Sequence, residues 1–283
     1  MQRPLEGIVV VDFTRYLPGA FAGAELRRMG ARVIRVERPG GDPMRSTSPD
    51  WYDLLNAGKE SADWDRGPEL LGAADVVLES FRPGVATKLG IGPEAASASA
   101  VYCSITGFGA DGPHARRAGH DLNYAGWAGL LETTAPALPP VQVADLAAGA
   151  LGAVTEILAA LIARARSGKG ARIVVSMTHN AHKLASRAPV LSQGFACYRM
   201  YGTADGRYLT VGALEPKFFT RLCELLERPE LAERQYDADQ DAVGAEFAAI
   251  FARRPLADWL ALFDGEDVCV GPVATLAEAD AAL

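Results

Sequence analysis

The chain has 283 residues, of which 49% are hydrophobic and 22% are charged. This composition is typical of folded globular proteins and excludes a disordered, charge-rich chain. The 28 Lys and Arg residues face 35 Asp and Glu, so the net charge is −7 and no broad basic surface for nucleic acid is expected. Because single hydrophobic cores rarely grow beyond about 250 residues, we predict two packed units.

The first stretch, MQRPLEGIVVVDF, lacks the layout of a signal peptide. No run approaches the ~20 consecutive apolar residues of a membrane span, so we expect a cytoplasmic protein with no membrane partner. The cysteines show no metal-type spacing, and we expect free packing groups and no metal site. They are Cys103, Cys197, Cys223 and Cys269.

The first half of the chain alternates predicted strands and helices. Apolar, β-branched runs predict strands at 7–14, 32–41, 74–81 and 100–109. Ala and Leu at helical spacing predict a helix over 20–31 that stops at Gly30. This order is typical of right-handed βαβ units, so we predict an α/β fold with an open parallel Rossmann-like sheet. In such sheets the ligand lies beyond the carboxyl ends of the strands.

The second half begins with a long predicted helix over 144–170, which has basic residues in its last turn and a Gly after it. Further strands are predicted at 171–177 and 207–214, and amphipathic helices at 215–227 and 255–263. The helical pattern breaks in SQGFACYRM. We therefore predict a Rossmann-like domain over 1–190 and a smaller α+β domain over 191–283.

The segment GFGADG, residues 107–112, matches the glycine pattern of dinucleotide-binding turns. Its context does not fit, because Pro113 stands where the helix should begin and the pattern belongs to the first strand–helix turn. We therefore do not predict nicotinamide binding. A glycine-rich loop lying closely against a ligand or backbone remains the interpretation.

Three basic residues follow or separate the predicted strands. Arg38 and Arg82 come after strands, and Lys59 lies in the loop between them. On one sheet edge they could converge into a small cationic site for phosphate groups, although ordinary surface charge explains each of them equally well.

His120 and Asp121 precede a run of small and apolar residues, which predicts a helix start whose free N–H groups favour an anion. Asp145 opens the long helix, and Glu215 stands before Pro216 at another predicted helix start. Taken singly, each of these side chains has an ordinary structural interpretation as a cap or a satisfied polar group.

Taken together, ordered segments along the chain resemble the family III CoA-transferases (CaiB/BaiF-like), and within them the α-methylacyl-CoA racemases. The resemblance covers residues 5 to about 279. It is carried by LEGIVVVDFTRYLPG, GARVIRVERPGGDP, LNAGKES, ESFRPGVATKLGIG, YCSITGFGADGP, AGHDLNY, RSGKGARIVVSM, YGTADGRYLTVGALEPKFF and DVCVGPVATLAEA.

The resemblance implies roles for the acidic and imidazole side chains. His120 and Asp145 would exchange a proton with opposite faces of the α-carbon of a 2-methylacyl-CoA, and the N–H of Asp121 would stabilise the enolate. Glu215 would orient a catalytic side chain, from the other subunit of an intertwined homodimer. CoA enters only as part of the substrate, without a separate cofactor. Its nucleotide would be held by Arg38, Lys59, Arg82, Tyr16, Leu17, Pro18, Ala57 and Gly58.

Two alternatives stay open. Asp145 could instead act as the nucleophile of a CoA-transferase, since transferases of the family use an aspartate at this place. Family members also run well past the point where this sequence ends, so a shortened CoA-binding protein without turnover is the second alternative, and the family's C-terminal return segment is expected to be absent.

Overall fold

The computed structural model describes residues 3–185, 187–192 and 194–282. Two compact units divide the chain, Met1–Ala185 and Ser186–Leu283. The division falls just before the predicted boundary between residues 190 and 191.

A six-stranded sheet forms the centre of the first unit. Its strands are β1 (Val9–Asp12), β2 (Arg32–Glu37), β3 (Glu60–Asp63), β4 (Val76–Glu79), β5 (Val101–Thr106) and β6 (Ala171–Ser176). They lie in the order β3-β2-β1-β4-β5-β6, and all neighbours are parallel. This is the doubly wound order of Rossmann-like sheets, so the predicted fold class is confirmed. The order reverses between β1 and β4, which is where such sheets bind ligands.

Helices cover both faces of this sheet. They are α1 (Tyr16–Arg28), α2 (Met44–Thr47), α3 (Pro49–Asn56), α4 (Gly67–Ala73), α5 (Val85–Lys88), α6 (Asp121–Trp127), α7 (Gly152–Ser167) and α8 (Met177–Leu184), with a 3₁₀ turn at Trp64–Arg66. The predicted first helix begins earlier than expected, at Tyr16, and ends at Arg28. Gly30 follows it with a φ of 106°, a left-handed conformation that suits glycine at a helix end.

The edge strand β3 has no counterpart among the predicted strands. Its sequence, ESAD, is polar and largely exposed, because an edge strand of a sheet buries little of its surface. Neither an apolar run nor alternating hydrophobicity marks it in the sequence.

The predicted long helix spans Ala144–Ser167, and its first eight residues, Ala144–Leu151, form a π-helix that continues into α7. By length and composition this helix could cross a membrane, which the run-length argument did not anticipate. Ala148, Ala153 and Ile157 pack one side of it into the main core of the first unit.

The second unit has its own sheet and core. Its strands are β7 (Tyr198–Gly202), β8 (Tyr208–Gly212) and β9 (Val270–Pro272), all antiparallel. Its helices are α9 (Pro189–Ser192), α10 (Pro216–Leu225), α11 (Gln240–Phe251), α12 (Leu256–Phe263) and α13 (Leu276–Ala282), with a 3₁₀ turn at Pro229–Arg234. Phe219 stacks on Phe247 in the core, and Phe251 meets Trp259 edge to face. The α+β class predicted for this unit is confirmed.

The four cysteines are free thiols. Cys103, Cys197 and Cys223 are buried as predicted for packing groups, but Cys269 is exposed, so the prediction was wrong there. Cys269 lies directly before β9, where the chain has little cover.

Two glycines differ in how closely other parts of the chain approach them. A Cβ on Gly170, just before β6, would lie 2.1 Å from the carbonyl oxygen of Ala100, whereas a Cβ on Gly72 in α4 meets no atom within 4 Å. We expect Gly170→Ala to lower the free energy of unfolding by about 1–3 kcal/mol through overpacking. Gly72→Ala should leave it unchanged or raise it by up to about 1 kcal/mol. Urea unfolding of both variants measures this, and equal effects would contradict it.

Candidate active site

A cleft of about 440 Å³ lies in the first unit at the point where the strand order reverses. The loops after β1 and β4 form part of its wall, through Tyr16 and Arg82. His120 and Asp145 line the same cleft. The structure therefore brings together the imidazole and the carboxyl group that the sequence singled out.

His120 is fixed at the start of α6 as its N-cap residue, with extended backbone (φ −128°, ψ 178°). Its N–H donates to Oδ1 of Asn123 (3.1 Å), and its carbonyl oxygen accepts from the N–H of Asn123 (2.8 Å). The predicted helix start is confirmed. The imidazole is solvent-accessible and meets the ring of Tyr16 edge to face, with 6.1 Å between ring centroids.

Asp121 is the first residue of α6 and connects this helix to Asp145. Its Oδ1 accepts a hydrogen bond from the N–H of Asp145 (2.8 Å). Within the described part of the chain, the N–H of Asp121 itself has no acceptor, as is usual for the first turn of a helix. A partial positive charge therefore lies beside His120.

Asp145 is a partly buried residue of the π-helix, and the pKa of its side chain is raised. Burial, and then the negative charge of Asp121, raise its pKa from 3.8 to about 7. Both effects disfavour the ionised form. Near neutral pH the Asp145 side chain is thus present in both protonation states, which a group that alternates between acid and base requires.

The ring of Tyr124 forms a buried wall of the cleft between two glycines. A Cβ would lie 2.5 Å from this ring at Gly107 and 2.7 Å at Gly119, so both positions require glycine. Burial and the nearby Asp145 raise the pKa of Tyr124 to about 12. The glycine-rich loop after β5 therefore packs against protein, as one of the two interpretations from the sequence had it.

The turn after β1 is strained and held from behind. Tyr16 has a φ of 65°, a left-handed conformation that is rare for residues other than glycine. Its N–H donates to Oδ2 of Asp42 (3.0 Å), and the same oxygen accepts from Arg35 at 2.5 Å. A buried ion pair thus fixes the wall of the cleft that carries Tyr16.

The residues predicted to bind CoA fall into two groups. Tyr16, Pro18 and Arg82 line the cleft. The side chain of Leu17 instead packs in a small buried cluster with Met44 and does not line the cleft, so its contact with CoA stays a prediction.

Of the three predicted CoA-binding cations only Arg82 lines the cleft, and the binding of CoA by Arg38 and Lys59 stays a prediction. The ammonium of Lys59 is buried, 3.5 Å from Oδ2 of Asp12, and donates to the carbonyl oxygen of Ala20 (2.8 Å). Burial lowers its pKa, which the nearby carboxylate of Asp12 partly offsets, so the ammonium pairs inside the protein and does not face solvent. The guanidinium of Arg38 lies 5.7 Å from the ring centroid of Trp64, outside the residues that line the cleft.

Ala57 and Gly58 also lie outside the cleft. Ala57 lines a separate depression with Arg35 and Arg45. Gly58 has a φ of 69°, and the guanidinium of Arg27 lies where its Cβ would stand. The structure thus gives Gly58 a packing role that no pattern in the sequence indicated.

Glu215 belongs to the second unit, where it precedes α10 as its N-cap residue with extended backbone. Its carbonyl oxygen accepts from the N–H groups of Phe218 (3.0 Å) and Phe219 (3.2 Å). The predicted helix start is confirmed.

Two arginines that line the cleft were missed from the sequence. Arg15 directly follows the first predicted strand segment, and its Nε is buried without a partner among the described residues. Arg117 lies with its guanidinium 5.3 Å from the ring centroid of Trp127. The position of Arg15 after a strand end was the available signal, whereas nothing in the loop sequence singled out Arg117.

The first unit is thus a Rossmann-like domain whose cleft, at the point where the strand order reverses, holds an imidazole and a carboxyl group with a raised pKa. This combination is typical of an enzyme. Comparison with known proteins narrows this class. Residues 5–282 match CoA-transferase family III. The chain belongs to this family, whose members include both transferases and racemases.

Two curated relatives represent these activities. The chain is 36% identical to alpha-methylacyl-CoA racemase of Homo sapiens, over 97% of this chain and 78% of the relative. It is 34% identical to succinyl-CoA:glutarate CoA-transferase of Mus musculus, over 97% of this chain and 73% of the relative.

Solved structures agree with this assignment. Rv3272 from M. tuberculosis matches with a TM-score of 0.81 and 32% identity, covering 97% of this chain and 83% of its own. A CAIB/BAIF family protein from Brucella suis matches with a TM-score of 0.83 and 29% identity, covering 99% and 86%.

The raised pKa of Asp145 predicts a pH-dependent cost in stability. Between pH 4 and 7 the unfolded chain releases the Asp145 proton while the folded chain retains it, so folding loses stability as the pH rises. We expect Asp145→Asn to unfold with a free energy roughly 2–4 kcal/mol higher than the parent at pH 8, and with little difference at pH 4. Urea unfolding at both pH values measures this.

The matched control is Asp241→Asn, since the side chain of Asp241 is 97% exposed. It should show no such pH-dependent gain. A gain for Asp145→Asn that is the same at pH 4 and pH 8 would contradict the assignment of the shift to this carboxyl group.

Proposed function

We propose that this protein is an acyl-CoA racemase or epimerase that inverts the α-carbon of a 2-methylacyl-CoA thioester by 1,1-proton transfer. The observation that carries the proposal is one cleft containing His120 beside a helix start and Asp145 with a pKa of about 7. Inversion needs two groups that each accept and donate a proton, one on each face of the reacting carbon.

The two groups exchange roles with the configuration of the substrate. For one enantiomer neutral His120 accepts the α-proton and protonated Asp145 returns a proton to the opposite face. For the other enantiomer ionised Asp145 accepts and the imidazolium of His120 donates. Each conversion of one enantiomer into the other leaves His120 and Asp145 in the protonation states that the reverse conversion requires.

The intermediate of this reaction is an enolate, whose charge develops on the thioester oxygen. The N–H of Asp121, at the start of α6, has no acceptor among the described residues and is the donor we assign to that oxygen. The carboxylate of Asp121 acts separately, because it fixes the backbone of Asp145 and raises the pKa of its side chain.

CoA takes part only as the portion of the substrate that the protein binds, and we propose no further cofactor. Tyr16, Pro18 and Arg82 are the cleft residues that we assign to it, with Arg38 outside the cleft as a further contact. We also keep the role of Glu215 as a residue that orients a catalytic side chain across a homodimer interface. This last assignment rests on the family resemblance.

Deuterium exchange tests the reaction. In heavy water, 2-methylacyl-CoA should gain deuterium at the α-carbon, as measured by NMR or mass spectrometry. His120→Ala should slow exchange of one enantiomer by roughly 10²–10⁴-fold, and Asp145→Asn that of the other. The control His179→Asn should retain the parent rates, since His179 bonds Ser176 and does not line the cleft.

Exchange should also depend on pH in opposite directions. The enantiomer deprotonated by Asp145 should react faster as the pH rises through about 7, because the carboxylate is then available, and the enantiomer to which Asp145 donates should react more slowly.

Unchanged exchange of both enantiomers in His120→Ala would contradict the proposed mechanism.

The alternative is a CoA-transferase in which Asp145 attacks the thioester carbonyl and releases the CoA thiolate to form an acyl–aspartyl anhydride. The transferase relative supports this candidate, whereas a carboxyl group with a pKa of about 7, present in both protonation states near neutral pH, favours acid–base chemistry. We expect hydroxylamine in the presence of acyl-CoA not to modify Asp145, as read by peptide mass spectrometry. A hydroxamate at Asp145 would instead establish the transferase, and thioester binding with neither signal would indicate a non-catalytic CoA-binding protein.

A further inference from the structure

The cleft carries an excess of positive charge that the proton transfer does not use. Three arginines line it, and they are Arg15, Arg82 and Arg117. Among the described residues that line it, Asp145 holds the one carboxyl group. A ligand that brings a negative charge into this cleft therefore meets no fixed carboxylate other than the group assigned to proton transfer.

Arg15 stands apart from the other two because part of its head group is buried and unsatisfied. Its Nε has no hydrogen-bond partner among the residues that the structure describes, although its backbone N–H donates to Oγ of Ser80 (3.0 Å). A buried charged donor without an acceptor costs free energy, and such a group in a ligand cleft signals a missing acceptor. A carboxylate is an acceptor that fits the forked donors of a guanidinium.

The position of Arg15 indicates which part of a thioester would supply this acceptor. Its guanidinium carbon lies 5.6 Å from the ring centroid of Tyr16, and that ring contacts His120 at 6.1 Å between centroids. Arg15 is thus separated from the proton-transferring imidazole by a single aromatic side chain. The phosphates of CoA are held away from the thioester by the long pantetheine arm, so the acyl group is the nearer source of a negative charge.

We propose that Arg15 binds a carboxylate carried by the acyl group, so that the preferred substrates are thioesters of branched dicarboxylic acids. This inference rests on the proposed function, whose substrate class it specifies. Arg15 acts as a specificity-determining residue, and Arg82 and Arg117 raise the positive potential of the same cleft.

Binding of unreactive analogues tests this assignment separately from turnover. Two thioether analogues of 2-methylacyl-CoA are compared by titration calorimetry, one ending in a carboxylate and the other in a methyl group at the same chain length. Arg15→Gln should weaken binding of the carboxylate analogue by at least about tenfold and leave that of the methyl analogue within about twofold. The control Arg66→Gln removes an exposed charge that does not line the cleft and should change neither affinity.

The same pair of acyl groups attached to pantetheine, which has no phosphates, identifies the source of the negative charge. A selective loss that persists in the pantetheine series supports recognition of the acyl carboxylate. A loss seen only in the CoA series assigns Arg15 to a phosphate and overturns the proposal, as does an equal loss for both acyl groups. Circular dichroism checks folding, and if Arg15→Gln is unfolded, the affinity ratio of Arg15→Met, which has no charge, decides, since a parent-like ratio overturns the proposal.

Deuterium exchange of the reactive carboxylate thioester tests the proposed racemase activity separately from the proposed carboxylate site. Selective, Arg15-dependent binding without exchange would remove the racemase and leave the carboxylate site standing. Exchange without any preference for the carboxylate would do the opposite.

Discussion

The geometry of the cleft depends on one buried guanidinium. Arg35, which is 3% exposed, reaches Asp12 at the end of β1, Glu37 at the end of β2 and Asp42 in the following loop. Removing one member of such a network leaves a buried charge unpaired, which typically costs about 3–5 kcal/mol. The ends of β1 and β2 and the turn at Tyr16 are therefore fixed by the same interaction.

A second constraint concerns the neighbourhood of Asp145. A π-helix contains a wider turn than an α-helix, and such segments often occur at functional sites. Asp145 lies in the first turn of this segment, where N–H groups have no partner within the helix, and its N–H donates instead to Asp121 from α6. Two acidic side chains are thereby brought close in a partly buried place, and the pKa shift follows from their positions rather than from a special chemical group.

Most of the sheet could be predicted from the sequence because its signals are local, whereas local patterns marked the catalytic candidates only as helix starts and their roles came from the family resemblance. Apolar β-branched runs mark β1, β2, β4, β5 and β6, and the polar residues before apolar runs mark the starts of α6 and α10. The role of Lys59 could not be predicted, because a lysine in a loop looks the same whether its ammonium reaches solvent or a buried Asp12. The π-helix and the unpaired Nε of Arg15 likewise depend on contacts between segments distant in the chain, which no local pattern records.

The carboxylate of Asp42 has a further consequence for recognition. It accepts hydrogen bonds from the N–H groups of Tyr16 and Met44 and forms an ion pair with Arg35. The segment that forms one side of the cleft is thus ordered when the chain folds, and not when a thioester arrives. Because little conformational entropy remains to be lost there, this side of the cleft is preorganised, and selectivity among ligands depends on how well they match a fixed outline.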